Sequence, residues 1–328
     1  MAPLIMTGAP LPRCVQFRSS VWSVKLRYCK PMLNRRQLLF SALAPAVPLP
    51  AIPGSLQLCM HQTTSAAAGY RRSLEGYARA GIRFVEVVFT QLEPFVKTDG
   101  MPAARRLLSD LGLTAVSSGG QRGLWEPGPG RAQALEDMKR FAAMAAELGV
   151  DRMVCPCAAS GKYTDDDYKR GVDNMREAGE IASQIPIILM PEFMRGSTFI
   201  GTLPTSLRLT REAAHPNVRP MFDCYHFWAG LSKLEDLEPI RNGEIAHVHF
   251  QDVPDIPREM LDNTTREVPG EGISPLPRIL SALAAKGYSG PLSVELFYPR
   301  YQNTDPYEMT LHIRRKAEPV IQAASGQG

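Results

Sequence analysis

From about residue 55 onward the chain repeats one unit, a short apolar run followed by a longer amphipathic stretch, and few architectures accommodate that order. The runs fit strands at Leu56–His61, Arg83–Phe89, Thr114–Ser118, Arg152–Cys157, Pro186–Glu192, Val218–Asp223, Ile245–Gln251 and Pro291–Phe297. Between them, stretches such as Met101–Leu111, Gly130–Leu148, Asp166–Gln184, Ser274–Lys286 and Asp305–Ala324 carry the apolar spacing of helices packed on one face. Several end on a glycine, at Gly81, Gly112, Gly149 and Gly287, where a helix stops by turning left-handed. Strands alternating with helices require parallel pairing, because each helix carries the chain back over the sheet. The pattern predicts a single (β/α)8 barrel over residues 52–328, preceded by a leader at 1–51.

Charge separates the leader from the rest. The formal net charge is +4, yet no acid precedes Glu75, and residues 1–51 hold Arg13, Arg18, Lys25, Arg27, Lys30, Arg35 and Arg36. Without those seven the balance is −3. A mildly acidic body argues against nucleic acid as a partner, since phosphate binding needs clustered Lys and Arg. Asn34-Arg35-Arg36-Gln37-Leu38-Leu39, followed by the weakly apolar Phe40 to Ala51, resembles a twin-arginine export signal, with Met32 as an alternative start. That reading predicts export to the periplasm, with a cytoplasmic protein if the leader is inactive. The Leu-Gln-Leu-Cys sequence at Cys59 is a poor lipobox, and no stretch is long and apolar enough for a spanning helix, so no membrane anchor is expected. Cys59, Cys155, Cys157 and Cys224 lack metal or redox spacing; Cys155 and Cys157 share one strand face and read as small buried hydrophobes, with a disulfide left open.

Strand period then indicates which side chains face the lumen. In the seventh run Ile245, His247, His249 and Gln251 share one face, and Ala246, Val248 and Phe250 the other. The apolar set suits packing against outer helices, so the histidines point inward. In the eighth run Leu292, Val294 and Leu296 point outward and leave Glu295 inside. Glu192 and Asp223 likewise close their runs. A carboxylate turned into a barrel needs a cation or a dense set of hydrogen bonds.

These residues carry a resemblance. Glu192, Asp223-x-x-His226, His249-x-x-Asp252, Pro269-Gly270-Glu271-Gly272 and Glu295 resemble the motifs of the xylose-isomerase-like barrel superfamily, in order and strand position, over roughly residues 55–325. The resemblance implies that Glu192, Asp223, His249 and Glu295 bind one divalent cation, Mn²⁺ first, with Mg²⁺, Co²⁺ or Zn²⁺ as alternatives. It implies an isomerase or epimerase of sugars or keto-sugars, with Glu192 and Glu295 moving a proton beside a carbonyl. A dehydratase or keto-glycoside lyase is the near alternative, and a non-catalytic periplasmic carbohydrate binder the distant one. The extra histidines of the superfamily's AP endonucleases are missing from Phe89-Thr90-Gln91, Ser117-Ser118-Gly119-Gly120 and Thr264-Thr265-Arg266.

His226, Asp252, His61, Glu86, Trp125 and Trp228 are expected as substrate contacts, the two indoles as plates for a sugar ring. The core histidine His247 lies one layer deeper, and the glycines around Glu271 read as a tight loop. Ketose 3-epimerases place a second Glu six positions beyond the fifth-strand ligand; Thr198 stands there instead. The partner expected is a small sugar or polyol, and a homo-oligomer is compatible with the sequence.

Overall fold

The computed structural model describes residues 56–325, so the twin-arginine reading and the leader lie outside the described residues. Eight parallel strands form the sheet: β1 Gln57–His61, β2 Phe84–Val87, β3 Thr114–Ser118, β4 Arg152–Pro156, β5 Ile188–Glu192, β6 Phe222–Asp223, β7 Val248–His249 and β8 Pro291–Val294. Their spatial order is β5-β4-β3-β2-β1-β8-β7-β6. The remaining gap is bridged where Leu189 meets Val218, with Leu189 N–H donating to Asn217 O at 2.8 Å and Arg219 N–H to Leu189 O at 3.1 Å. The predicted barrel is therefore present and nearly closed.

The helices are α1 Gly69–Arg79, α2 Phe89–Asp99, α3 Met101–Asp110, α4 Arg131–Glu147, α5 Asp165–Ser183, α6 Leu203–Ala213, α7 Cys224–Ala229, α8 Leu276–Ala285, α9 Pro299–Gln302 and α10 Pro306–Ala324. Their apolar faces meet the outward strand residues in one large core that includes Leu74, Met138, Met175, Ile279, Leu283 and Ile313. Each fully buried Leu, Ile or Met contributes roughly 1.5–3 kcal/mol relative to an exposed one. Among the described residues, no helix is long and apolar enough to cross a membrane.

Inside the barrel the lower layer is apolar. Val154, Met190, Met221 and Ala246 pack together, one layer beneath the acids of β5 and β6. Here one expectation needs correction. Ala246 joins this inner group, while Ile245 packs with the outer core. A regular ladder with Phe222 opposite Val248 would have His247 N–H donate to Pro220 O, but Ala246 N–H makes that bond at 2.9 Å. One extra residue therefore sits just before β7, and it reverses the faces upstream. His247 and His249 keep the predicted inward direction. All four cysteines among the described residues are buried free thiols.

Gly120, in the loop after β3, shows how tightly these loops cross the barrel rim. A Cβ there would lie 1.9 Å from Val154 O, so only glycine lets the two backbones pass.

Candidate active site at the barrel mouth

The ends of β5, β6 and β7, together with Glu295 just past β8, bring the four expected ligands together. Glu192, Asp223, His249 and Glu295 each offer a donor atom, all within 4.8 Å of one another, and all four residues are buried. His249 sits at their centre. Its Nδ1 lies 3.1 Å from Glu192 Oε1, 3.5 Å from Asp223 Oδ2 and 3.4 Å from Glu295 Oε2.

Three carboxylates crowded into a buried space repel one another, and their environments divide them. Burial pushes the Glu192 carboxyl up to about 7, with Asp223 and Glu295 adding to the rise. Burial also opposes ionisation of Asp223 and Glu295, but neighbouring imidazoles and the Arg266 guanidinium outweigh it and hold both down. Arg266 Nη1 contacts Asp223 Oδ2 at 3.3 Å and also pairs with Glu295 Oε2. The guanidinium is itself clamped between the rings of Tyr225 and Phe297, at 5.2 and 4.8 Å from their centroids.

The donor set suits a divalent cation: three carboxylate oxygens and one imidazole nitrogen form a mostly hard site. Arg266 alone does not balance the acids, and Glu192 pairs only with His249 among the described residues. Such a group of buried charges is costly without a further cation.

The expected contacts divide on inspection. His226 lies beside the four, with its backbone N–H donating to Asp223 Oδ1 at 2.6 Å. Its Nδ1 accepts from Arg195 N–H at 3.2 Å, and its Nε2 stands 2.9 Å from Arg266 Nη2. Burial pulls the ring down to about 4, so it is neutral near pH 7. His61 Nε2 lies 3.6 Å from Glu86 and 3.5 Å from Glu295, which puts it at the site. Glu86 lies beneath His249, wholly buried, and contacts imidazoles.

Three expectations are overturned or narrowed. Trp125 is fully buried, with Nε1–H donating to Cys155 O at 2.8 Å, so it is a core indole and offers no face to a sugar. Asp252 was expected to touch substrate; its carboxylate accepts instead from the backbone N–H groups of Val253, Gly270, Gly272 and Ser274, at 2.8, 3.0, 3.1 and 2.9 Å. Trp228 is half-buried in a small cluster with Tyr225, Ala229, Val253 and Leu261, and Arg258 lies over its ring. The glycine loop is tight as expected, with Glu271 turned away to His312 and Lys316.

Two site residues escaped the sequence reading. Arg266 appeared there only within a segment lacking histidines, although a lone cation near Pro269-Gly270 is the natural counterweight to three strand-end acids. Gln251 was seen only as sharing a face with His249; its Nε2 donates to Asp223 Oδ2 at 3.0 Å. At the position of the absent second Glu, Thr198 ties the loop after β5 to that after β4, its N–H bonding Ala159 O at 2.9 Å.

Known proteins share this arrangement of elements. A family model described as xylose isomerase-like TIM barrel matches residues 74–317. An inosose isomerase of Halalkalibacterium halodurans is 27% identical over 256 residues, covering 75% of this chain and 89% of that protein. A 3-dehydroshikimate dehydratase of Pseudomonas putida is 26% identical over 72% of this chain, but only 37% of the longer dehydratase is matched. The crystal structure of IOLI protein with a bound zinc atom superposes with a TM-score of 0.75 at 22% identity, covering 81% of this chain and 98% of the other. An L-ribulose 3-epimerase gives 0.67 at 18% identity, covering 83% and 96%. With the strand order, the acids and histidine clustered at the strand ends and a family match spanning most of the barrel in agreement, this chain belongs to the xylose isomerase-like TIM-barrel family.

Proposed function

We propose that the chain is a divalent-metal-dependent isomerase or epimerase of sugars or cyclic polyol ketones, acting by proton transfer beside a carbonyl. The observation that carries this reading is the convergence of Glu192, Asp223, His249 and Glu295 at the mouth. Those four residues would hold the cation, with Mn²⁺ preferred and Zn²⁺ close behind, given the zinc in the similar IOLI protein. When bound, the ion would supply Lewis acidity toward a carbonyl and its neighbouring hydroxyl.

The chain's own residues supply the remaining chemistry. Glu192, whose carboxyl is poised near neutrality, suits taking and returning a proton at one side. Glu295, held ionised by Arg266 and His61, faces the same space from β8. His226 and Arg266 press two nitrogen groups together, and a neutral ring that accepts from Arg195 N–H carries its proton on Nε2, toward Arg266. Two donors so placed cannot bond one another, although Nη2 also reaches Asn263 Oδ1 at 3.3 Å, and a substrate oxygen lying to one side of the pair would accept from both. The similarity to inosose isomerases supports a neutral polyol ketone as substrate.

Elimination is the second reading. Thr198 in place of a carboxylate, together with the similarity to 3-dehydroshikimate dehydratases, supports it.

The test is deuterium uptake from D₂O into a panel of inososes, ketoses and keto-glycosides, with protein loaded with Mn²⁺ or Zn²⁺ and then chelated. Carbon-bound deuterium that vanishes on chelation is expected; unchanged turnover without metal removes the mechanism. Glu192→Gln and Glu295→Gln should each retain the fold and lose about 10²–10⁴-fold in rate, as expected for removal of a group that transfers protons. Full activity in either variant excludes that residue from the role.

A further inference from the structure

Glu86 on β2 stands outside the four-residue donor set, and no solvent reaches it. Its carboxylate hydrogen-bonds two imidazoles and has a third beside it. Oε2 lies 2.7 Å from His247 Nε2 and 3.2 Å from His249 Nε2, and Oε1 lies 3.3 Å from His249 Nε2. His61 Nε2 approaches Oε1 at 3.6 Å.

The position of each proton follows from the partners. His61 Nδ1 accepts the Thr63 N–H at 3.1 Å, so the neutral ring carries its hydrogen on Nε2, toward Glu86. His247 Nδ1 has no hydrogen-bond partner among the described residues, and its Nε2 makes the short bond to Glu86. An ionised carboxylate only accepts, so the His249 nitrogen facing it must also be N–H. Nδ1 faces Glu192, Asp223 and Glu295, and it is the nitrogen that would meet a cation held by those carboxylates; such a cation takes the Nδ1 lone pair and leaves the ring hydrogen on Nε2, toward Glu86.

We infer that Glu86 is the positioning residue that selects the ligating tautomer of His249, by accepting its Nε2–H while His247 and His61 hold the carboxylate from two further sides. This rests on the metal-dependent reading above. Glu86, His61 and His249 are also close enough to suggest a second ion. Proton bookkeeping argues otherwise: with Nδ1 already accepting from Thr63, His61 could ligate through Nε2 only as an imidazolate.

A carboxylate behind a ligating histidine fixes ring orientation and raises ligand basicity, and its loss typically weakens metal binding 10–100-fold. Glu86→Gln nearly preserves volume, but its amide offers one oxygen to two close N–H donors. One of its own N–H bonds then faces an imidazole N–H, and His249 is free to turn over. The expected result is 10–100-fold weaker Mn²⁺ and Zn²⁺ binding in competition with a chromophoric chelator, with an unchanged circular dichroism spectrum.

Two spectroscopic readings separate tautomer selection from general support. In Cu²⁺-loaded full-length protein, pulsed EPR detects the remote nitrogen of the ligating imidazole, and its quadrupole coupling should shift in Glu86→Gln. In Zn²⁺-loaded wild type, long-range ¹H–¹⁵N correlation should show the Nε2–H tautomer for His61, His247 and His249. This second measurement stands even if the variant fails to fold. An Nδ1–H tautomer at His249, or Glu86→Gln binding metal within twofold of wild type with an unshifted coupling, overturns this inference alone. Wild-type protein that binds neither Mn²⁺ nor Zn²⁺ overturns it together with the functional reading.

Discussion

Asp252 accepts four backbone N–H groups from two stretches of the loop between β7 and α8, and so fixes that loop beside the mouth. Gly272 belongs to the same arrangement: a Cβ there would lie 2.3 Å from Val253 O and 2.5 Å from Asp252 Oδ1. Asp252→Ala strands these donors in a largely buried place, where each unsatisfied group costs about 1–3 kcal/mol, partly relieved by water. A loss of about 3 kcal/mol in urea denaturation is expected, with Glu192, Asp223, His249 and Glu295 untouched. A loss under about 1 kcal/mol would show that the loop finds other acceptors. Sequence motifs brought Asp252 forward correctly as an important position, but which atoms it faces depends on a loop returning some twenty residues later. Trp125 teaches the same lesson. Indole is suited both to stacking on sugars and to filling a core, and only its bond to Cys155 O and its full burial distinguish the two.

At the scale of elements, local chemistry accounts for most boundaries. The start of α5 has a capping box: Asp167 N–H donates to Thr164 Oγ1 at 3.4 Å, and Thr164 N–H donates to Asp167 Oδ2 at 2.7 Å. Thr164→Ala should cost about 1 kcal/mol. The Thr164 backbone N–H and, next to it, the Thr164 hydroxyl, which donates to Asp167 Oδ2 at 2.8 Å, hold Asp167 down from an ordinary 3.8 to about 2, and Thr164→Ala removes the second of these. A depressed carboxyl contributes stability that is complete above its unfolded value and lost as pH falls through the folded one. The gap between wild type and Thr164→Ala should therefore narrow from pH 4 to pH 2, and NMR titration of Asp167 checks the cause. A gap that widens on acidification would contradict the assignment. By contrast, the extra residue before β7 leaves no mark in the apolar pattern. Period two was extended one layer too far, to Ile245 and Ala246, because the slip is set by pairing with the segment around Pro220.

Among the described residues, buried acids on β2, β5 and β6 and just past β8 gather toward one end of the barrel. A cation that binds only the folded site stabilises it by mass action, about 2.7 kcal/mol at a hundredfold excess over Kd. Thermal unfolding followed with Mn²⁺ or Zn²⁺, and then with excess chelator, should show a concentration-dependent rise in Tm that chelation reverses. Glu192→Gln and Asp223→Asn should shrink that rise. A Tm indifferent to both metals would remove the basis for a metal centre. The four site residues are almost entirely buried, and Glu295, the most accessible of them, is 8% exposed.

The sequence by itself determined the barrel, the eight strand positions and the inward direction of His249 and Glu295, and it put Glu192 and Asp223 at strand ends. Those follow from periodicity and from the glycine stops, which act over a few residues. The tertiary structure alone decided how those side chains are partnered. Arg266 reaches Asp223 and Glu295 across 43 and 29 positions, and Glu86 meets His247 and His249 across 161 and 163. Such contacts arise from barrel closure, which joins distant strand ends in one low-dielectric space, and no local pattern encodes which of them meet.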